Sequence, residues 1–380
     1  MPPRMKRTSA PPVSVADRIG ALPDHLLHHL LSFLPVQAAV RTCVLARRWR
    51  HLWRSTTSLR ILADNIDIYA PVQDLRKFMD HLLVLRERTD LDTVEIKFSD
   101  YSKDDALYVN LWIRFAVMCK VRVLTLHGNV VPYLRLHNLP FVSQHLRILD
   151  LDGVALQETL LNFTSCPALE DLKMTDCAIN AGSISSGSLK HLSISGCQSY
   201  LGSRVHISTP GLVSLKLVGF LGRTPFLENM ALLETAHVEL GEDCEDVCLN
   251  YDSGVLCGAN NNACQNCVPN NDDCSNCVLL GGVSGAKHLK LISETGKAPD
   301  LDPLACILKH APVLEKLTLQ LFCKGPNHKM EMKGSYSSAE RSSAISEHLN
   351  IVEVKCNVVD EKIFKVLKFM CSFNIRFSFE

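Results

Sequence analysis

The chain has 380 residues, 47% apolar and 21% charged, enough apolar mass for a sizeable core and unlike a disordered or collagenous composition. Lys plus Arg and Asp plus Glu each total 40, so no global field points to nucleic acid as a partner. Sixteen cysteines without an export signal read as reduced thiols of the cytoplasm or nucleus rather than as a disulfide scaffold.

Residues 1–14, MPPRMKRTSAPPVS, lack an apolar stretch of the secretory kind and are expected to form a disordered basic tail. No later apolar run reaches the roughly 18 residues that a membrane span needs, so no membrane partner is expected. Residues 1–60 hold ten Lys/Arg against Asp17 and Asp24 alone, a surplus of eight offset by the remainder of the chain. That local excess suits an acidic partner.

Residues 15–58 form the first expected module. Pro23 suits the first turn of a helix and Pro35 ends it. Between them Leu26, Leu27, Leu30, Leu31 and Leu34 fall at helical spacing. A second helical stretch begins near Val36 and a third ends at Trp53, with Val40, Val44, Leu45, Trp49, Leu52 and Trp53 on the apolar period and arginines between them. Three short helices bury little surface alone, so a partner is expected to cover their apolar side. The string VADRIGALPDHLLHHLLSFLPVQAAVRTCVLARRWRHLWR closely resembles the F-box, with Gly20, Cys43 and Ala46 where serine is usual. The resemblance implies docking on a Skp-type adaptor, and through it a cullin. The residues it assigns to adaptor binding are Leu22, Pro23, Leu26, Leu30, Leu34, Pro35, Val40, Val44, Leu45, Trp49, Leu52 and Trp53.

Residues 59–345 carry the recurring pattern L-x-x-L-x-L, starting at Leu91, Val121, Leu146, Leu169, Leu189, Leu212, Leu233, Ala286 and Leu314, with one further copy at Leu349. Intervals are mostly 20 to 30 residues, the period of leucine-rich repeats. Three copies extend further, placing Asn129, Cys177 and Cys197 in the Asn/Cys slot, where the thiols should be buried against backbone amides without a redox role. Each repeat supplies one strand, and stacking as a parallel sheet buries a continuous core. The position after the second leucine should point outward. The resulting row of Asp150, Lys173, Ser193, Lys216, His237, Lys290 and Thr318 is mixed in charge and suits a protein target better than a phosphate backbone.

The repeat starts at Leu233 and Ala286 lie 53 residues apart, well beyond the period, and residues 241–285 hold an Asn-, Asp- and Cys-rich insert. Cys264, Cys267, Cys274 and Cys277 form C-x2-C-x6-C-x2-C, which could hold a tetrahedral zinc. The short spacer and the leftover Cys244, Cys248 and Cys257 favour a projecting polar loop with free thiols.

Residues 346–380 read as strand, helix (Val359 to Phe369) and strand (Ile375, Phe377, Phe379), a cap for the end of a solenoid. The segment resembles the FBD region of plant F-box/leucine-rich-repeat proteins. The expected fold is α/β: a three-helix F-box, a leucine-rich repeat solenoid with a parallel sheet, and an FBD-like cap. No nucleotide-, metal- or serine-hydrolase fingerprint is present, so no catalytic residue and no cofactor is assigned. The resemblance implies a substrate-recognition subunit of a ubiquitin ligase. The alternatives are a scaffold that binds the adaptor without forming an active ligase, or a zinc-binding protein acting through the Cys-rich loop.

Overall fold

The computed structural model describes residues 22–62, 72–97, 105–128, 141–201, 204–228, 230–245, 282–293, 311–321 and 348–356, with short pieces at 19, 64–65, 68–69, 133–136, 279, 308 and 376–379. Helix α1 (Asp24–Ser32) starts behind Pro23 and stops short of Pro35, whose ring disfavours helical backbone at Leu34. Pro35 then caps α2 (Val36–Arg41). The expected third helix is instead two 3₁₀ turns, Arg47–Arg50 and Leu52–Ser55, broken from what precedes by an extended Ala46. The break turns Trp49, Leu52 and Trp53 inward together.

Beyond this module runs one twelve-stranded, all-parallel sheet in which spatial order follows chain order. Its strands are β1 (Ser58–Leu62), β2 (Thr93–Lys97), β3 (Val123–His127), β4 (Ile148–Asp152), β5 (Asp171–Thr175), β6 (His191–Ser195), β7 (Ser214–Arg223), β8 (Thr235–Glu245), β9 (His288–Ser293), β10 (Lys316–Leu321), β11 (Ile351–Cys356) and β12 (Arg376–Phe379). The sheet is that of a leucine-rich repeat solenoid behind a helical F-box. β1 is one repeat earlier than the sequence pattern indicates.

The leading residue of every repeat, from Leu91 to Leu349, is buried, three positions before the first inward residue of its strand. Burying each such side chain contributes about 1.5 to 3 kcal/mol. Helices α3 (Val72–Leu85) and α4 (Ala106–Met118) close the back of the first repeats through Leu75, Met79, Leu82, Val109, Trp112 and Ile113. Farther along, short parallel strands replace helices on that side, in two three-stranded sheets between residues 134 and 228.

After the fifth residue of β4, β5, β6 and β7 the backbone passes through a left-handed residue, which ends the first three strands and bulges β7. These are Gly153 (φ 64), Asp176 (φ 47), Gly196 (φ 63) and Gly219 (φ 58). The amides still continue the ladder: Gly153 N–H donates to Thr175 O at 3.1 Å, Asp176 N–H to Ser195 O at 2.8 Å and Gly196 N–H to Val218 O at 2.9 Å. Cys177 and Cys197 follow directly and are fully buried. They meet backbone amides as expected, and both thiols also donate to carbonyls. Cys177 Sγ reaches Thr175 O at 3.2 Å, and Cys197 Sγ reaches Met174 O at 3.5 Å. Among the amide contacts is Cys177 N–H to Cys197 Sγ at 3.4 Å. The contact with Cys197, and after it burial, push the Cys177 thiol up and keep it protonated. Asn129, the expected residue of the same slot, lies outside the described residues, as does the expected helix over 359–369.

The F-box module is joined to the solenoid through its core. Leu27, Leu31, Val36, Ala39, Trp49, Leu52 and Trp53 belong to the same buried cluster as Leu59 and Ile61 of β1. Arg86, at the end of α3 and 5% exposed, crosses the joint. It donates to Trp53 O at 3.3 Å, to Thr56 Oγ1 at 3.0 Å and to the Thr56 carbonyl. Burial pushes its pKa down to about 10, which leaves it charged at neutral pH.

The left-handed turns and the buried joint can both be tested by urea denaturation of the full chain. Gly196→Ala should cost about 1 to 2 kcal/mol, because a side chain is strained at positive φ and its Cβ would crowd the Asp176 carboxylate. Asp176→Gly should instead stabilise by up to about 1 kcal/mol through relief of the same strain. Arg86→Met should lose about 1 to 3 kcal/mol, since two buried carbonyls lose their donor. An unchanged midpoint for Arg86→Met would show that the joint does not depend on this guanidinium.

Candidate functional site

Two surfaces carry the residues singled out from the sequence. The first lies on the helical module. Helix α1 has two apolar stripes: Leu27 and Leu31 face β1, while Leu26, Leu30 and Leu34 are 40%, 45% and 37% exposed. Phe33, Val44 and Leu45 are also exposed, and Leu22 and Val40 are half-buried against the core. Pro23 is exposed and Pro35 half-buried at the helix starts. Trp49, Leu52 and Trp53, expected on this same docking ridge, are at most 8% exposed and pack into the core. Their stripe meets the solenoid. Phe33 is not singled out by the sequence pattern and stands in the exposed group, at the C-terminal end of α1.

Cations surround the exposed stripe. Arg41, Arg47 and Arg50 are exposed. Arg48 pairs with Asp24, with its Nε 2.9 Å from Asp24 Oδ1. Arg54 lies over the Trp53 ring, 5.6 Å from its centroid. The combination is an apolar strip with a positive rim.

The second surface is the outward row of the sheet. Strand register aligns Arg60, Glu95, Thr125, Asp150, Lys173, Ser193, Lys216, His237, Lys290, Thr318 and Glu353 as successive cross-strand partners. All seven expected row residues therefore stand side by side. Neighbouring side chains are about 4.8 Å apart at the backbone, the spacing of paired strands.

Most charges on the row are neutralised by a neighbour. Arg60 Nε donates to Glu95 Oε2 at 2.8 Å while another of its nitrogens donates to Phe33 O at 2.7 Å, so the row is tied at its start to the helical module. Lys173 Nζ reaches Asp150 Oδ2 at 3.1 Å. At the far end Glu353 accepts from Lys316 at 3.0 Å and from Thr318 at 3.1 Å, and those two bonds hold its carboxyl below the usual range.

The centre is different. Among the described residues neither Lys216 nor Lys290 has a carboxylate partner, and His237 sits between them. The His237 Nε2 atom is buried without a hydrogen-bond partner. Burial first, then the Lys290 and Lys216 ammonium groups, push its pKa below the usual histidine value. An open depression of about 420 Å³ lies over these three residues, with Ser214, Thr235, His288, Lys316 and Thr318 also on its walls.

Cys264, Cys267, Cys274 and Cys277, the expected metal ligands, lie outside the described residues. Among the described residues no three His, Cys, Asp or Glu side chains converge as a metal site, and Cys43, Cys119, Cys166, Cys177, Cys197 and Cys356 are free thiols.

Comparison with known proteins agrees with this architecture. The F-box domain model matches residues 19–60. An F-box/FBD/LRR-repeat protein of Arabidopsis thaliana is 26% identical over 260 residues, which is 60% of this chain and 61% of the relative. An FBD-associated F-box protein of the same plant is 25% identical over 336 residues, 80% of this chain and 75% of the relative. A putative F-box/LRR-repeat protein, also from Arabidopsis thaliana, is 32% identical over 187 residues, 48% of this chain and 37% of the relative. The chain spans less than two thirds of the length of the first and third of these. With its helical module inside the matched segment and a leucine-rich repeat sheet behind it, the chain carries an F-box domain and is distantly homologous to the plant F-box/FBD/LRR-repeat proteins.

Proposed function

We propose that the chain is the substrate-recognition subunit of a Skp/cullin/F-box ubiquitin ligase. Its F-box docks on a Skp-type adaptor, and through it a cullin, while the outward row of the sheet holds a protein target. The observation that carries this reading is the exposed apolar strip of Leu26, Leu30, Phe33, Leu34, Val44 and Leu45 inside the matched F-box. Its inner stripe is already buried against β1, so the outer one is what remains for a partner. The arginine rim favours an acidic adaptor. The receptor itself has no chemical step: it raises the concentration of a target's lysines near a conjugating enzyme supplied by other subunits.

The test is titration of the full chain against purified Skp-type adaptor. Truncating central apolar anchors of an interface typically costs about 2 to 4 kcal/mol each, and about 1.4 kcal/mol is tenfold. Leu30→Asp with Leu45→Asp should therefore weaken binding by two or more orders of magnitude with an unchanged urea midpoint. Trp53→Ala should instead lower the midpoint by about 3 to 5 kcal/mol of stability, as loss of a core aromatic does. Arg47→Ala with Arg50→Ala should mainly slow association and flatten its salt dependence. Parent-like affinity in the folded Leu30/Leu45 variant would sink the assignment.

A further inference from the structure

We propose that the chain pairs with a second copy of itself through the back of its first repeats, with α4 of each copy lying antiparallel on α4 of the other.

The composition of α4 is unusual for a helix at a surface. Its 13 residues, ALYVNLWIRFAVM, carry one charge, Arg114. A helix that is apolar on nearly every side belongs in an interior. Val109, Trp112, Ile113 and Ala116 are buried, yet Leu107, Leu111 and Met118 are 61%, 54% and 67% exposed. With the half-buried Phe115 these three follow the helical repeat and make a second apolar stripe, on the side away from the sheet. Val84 and Leu85, at the end of α3, are exposed as well and widen the face. Contiguous apolar surface of this kind marks a contact with another molecule.

The symmetry of the stripe decides which molecule. Leu107 and Met118 lie equally far from a midpoint between Trp112 and Ile113, and so do Leu111 and Arg114. A two-fold axis through that midpoint, across the helix, lays Leu107 on Met118 of the second copy and Leu111 along the methylene stem of its Arg114. The charges agree with the same axis. Arg114 and Asp80 are both exposed, and neither has an ion-pair partner among the described residues. The Arg76 guanidinium lies 3.4 Å from the centre of the Tyr108 ring, which sets α3 beside α4 with residue 76 level with 108. One turn later Asp80 is level with Trp112, next to the midpoint. The two-fold operation therefore brings Asp80 of one copy beside Arg114 of the other, and does so twice. A lipid surface fits worse, because Asp80, Glu87 and Asp90 are exposed around the face. The face is about 20 Å long and two helices wide, at the lower end of what specific pairs bury, so the pair should be a weak one that dissociates on dilution. It leaves the outward row open, since α3 and α4 lie behind the sheet.

The experiment is sedimentation equilibrium of the full chain from nanomolar to high micromolar concentration, alone and with saturating purified Skp-type adaptor. The average mass should rise with concentration toward that of two chains. Leu111→Glu with Met118→Glu should raise the dissociation constant about tenfold or more at an unchanged urea midpoint, because both side chains face solvent before pairing. Arg114→Asp alone and Asp80→Arg alone each set like charges opposite one another twice in a symmetric pair, and each should weaken it about threefold or more. Mixing these two variants restores both ion pairs between unlike copies while leaving like charges within each chain. The mixture should therefore pair about as tightly as the parent. A chain that stays monomeric at every concentration overturns the proposal. So does a dimer untouched by the Leu111/Met118 variant, or a mixture that pairs no better than its components. Adaptor binding is read in the same samples, and its loss in the Leu111/Met118 variant would assign the face to the adaptor and overturn the proposal too.

Discussion

Every strand of the main sheet is hydrogen-bonded in parallel to its neighbours in chain order, so no repeat satisfies its own backbone or buries its own leucines. Stacking in one register answers both needs together. Leu149, Leu172, Leu192, Leu215, Ala236, Leu289 and Leu317 form one buried line, and the residue after each forms one outward line. Because side chains alternate with period two, a slip of one residue would exchange these lines and place lysine in the core. The core therefore sets the outward row: it is the apolar pattern that keeps the outward residues, from Arg60 to Glu353, in sequence.

Such a stack has exposed ends, and the N-terminal one is closed by the F-box. β1 has a paired neighbour on one side only, and α1, α2 and the two 3₁₀ turns cover its apolar residues. Two short helices and two 3₁₀ turns hold little core alone, and here the solenoid supplies the missing surface. The consequence for function is geometric. Arg86 and the two tryptophans make the joint a continuation of the core, and Arg60 bonds Phe33 and Glu95 together. The apolar strip and the outward row thus belong to one packed unit and keep a set relation to each other.

Much of this arrangement is legible in the amino-acid pattern. The repeats locate ten strand starts because period-two burial leaves its mark on those strands, and most of the outward row follows by counting. The F-box strip is only half legible. Leu26 and Leu27 are adjacent and equally apolar, and the side each faces depends on β1, about thirty residues away. For the same reason Trp49 and Trp53 read as a docking ridge although they pack inward. β1 itself escapes the pattern, because Thr56 stands where the other repeats begin with an apolar residue; its hydroxyl accepts from Arg86 instead. The short strands behind β4 to β7 are too brief to carry a period. Nor can the sequence pair the charges, since Asp150 and Lys173 are 23 residues apart and only register joins them.

Charge on a sheet face is also a constraint on folding, which bears on why the row is arranged as it is. The paired charges toward its two ends add little stability at exposed sites, yet they discourage alternative registers, since a slipped strand would set like charges opposite each other. The strands that carry Lys216 and Lys290 lack that safeguard, and their registration falls to the apolar lines on either side of the row. There β7 and β8 shift register after Val218, at a bulge that starts with the left-handed Gly219 and brings Phe220 opposite Leu240. The irregularity comes only after Lys216 and His237 are already aligned. The sheet thus keeps strict pairing through Lys216, His237 and Lys290 and relaxes it one pleat farther on, where only the apolar lines hold β7 against β8.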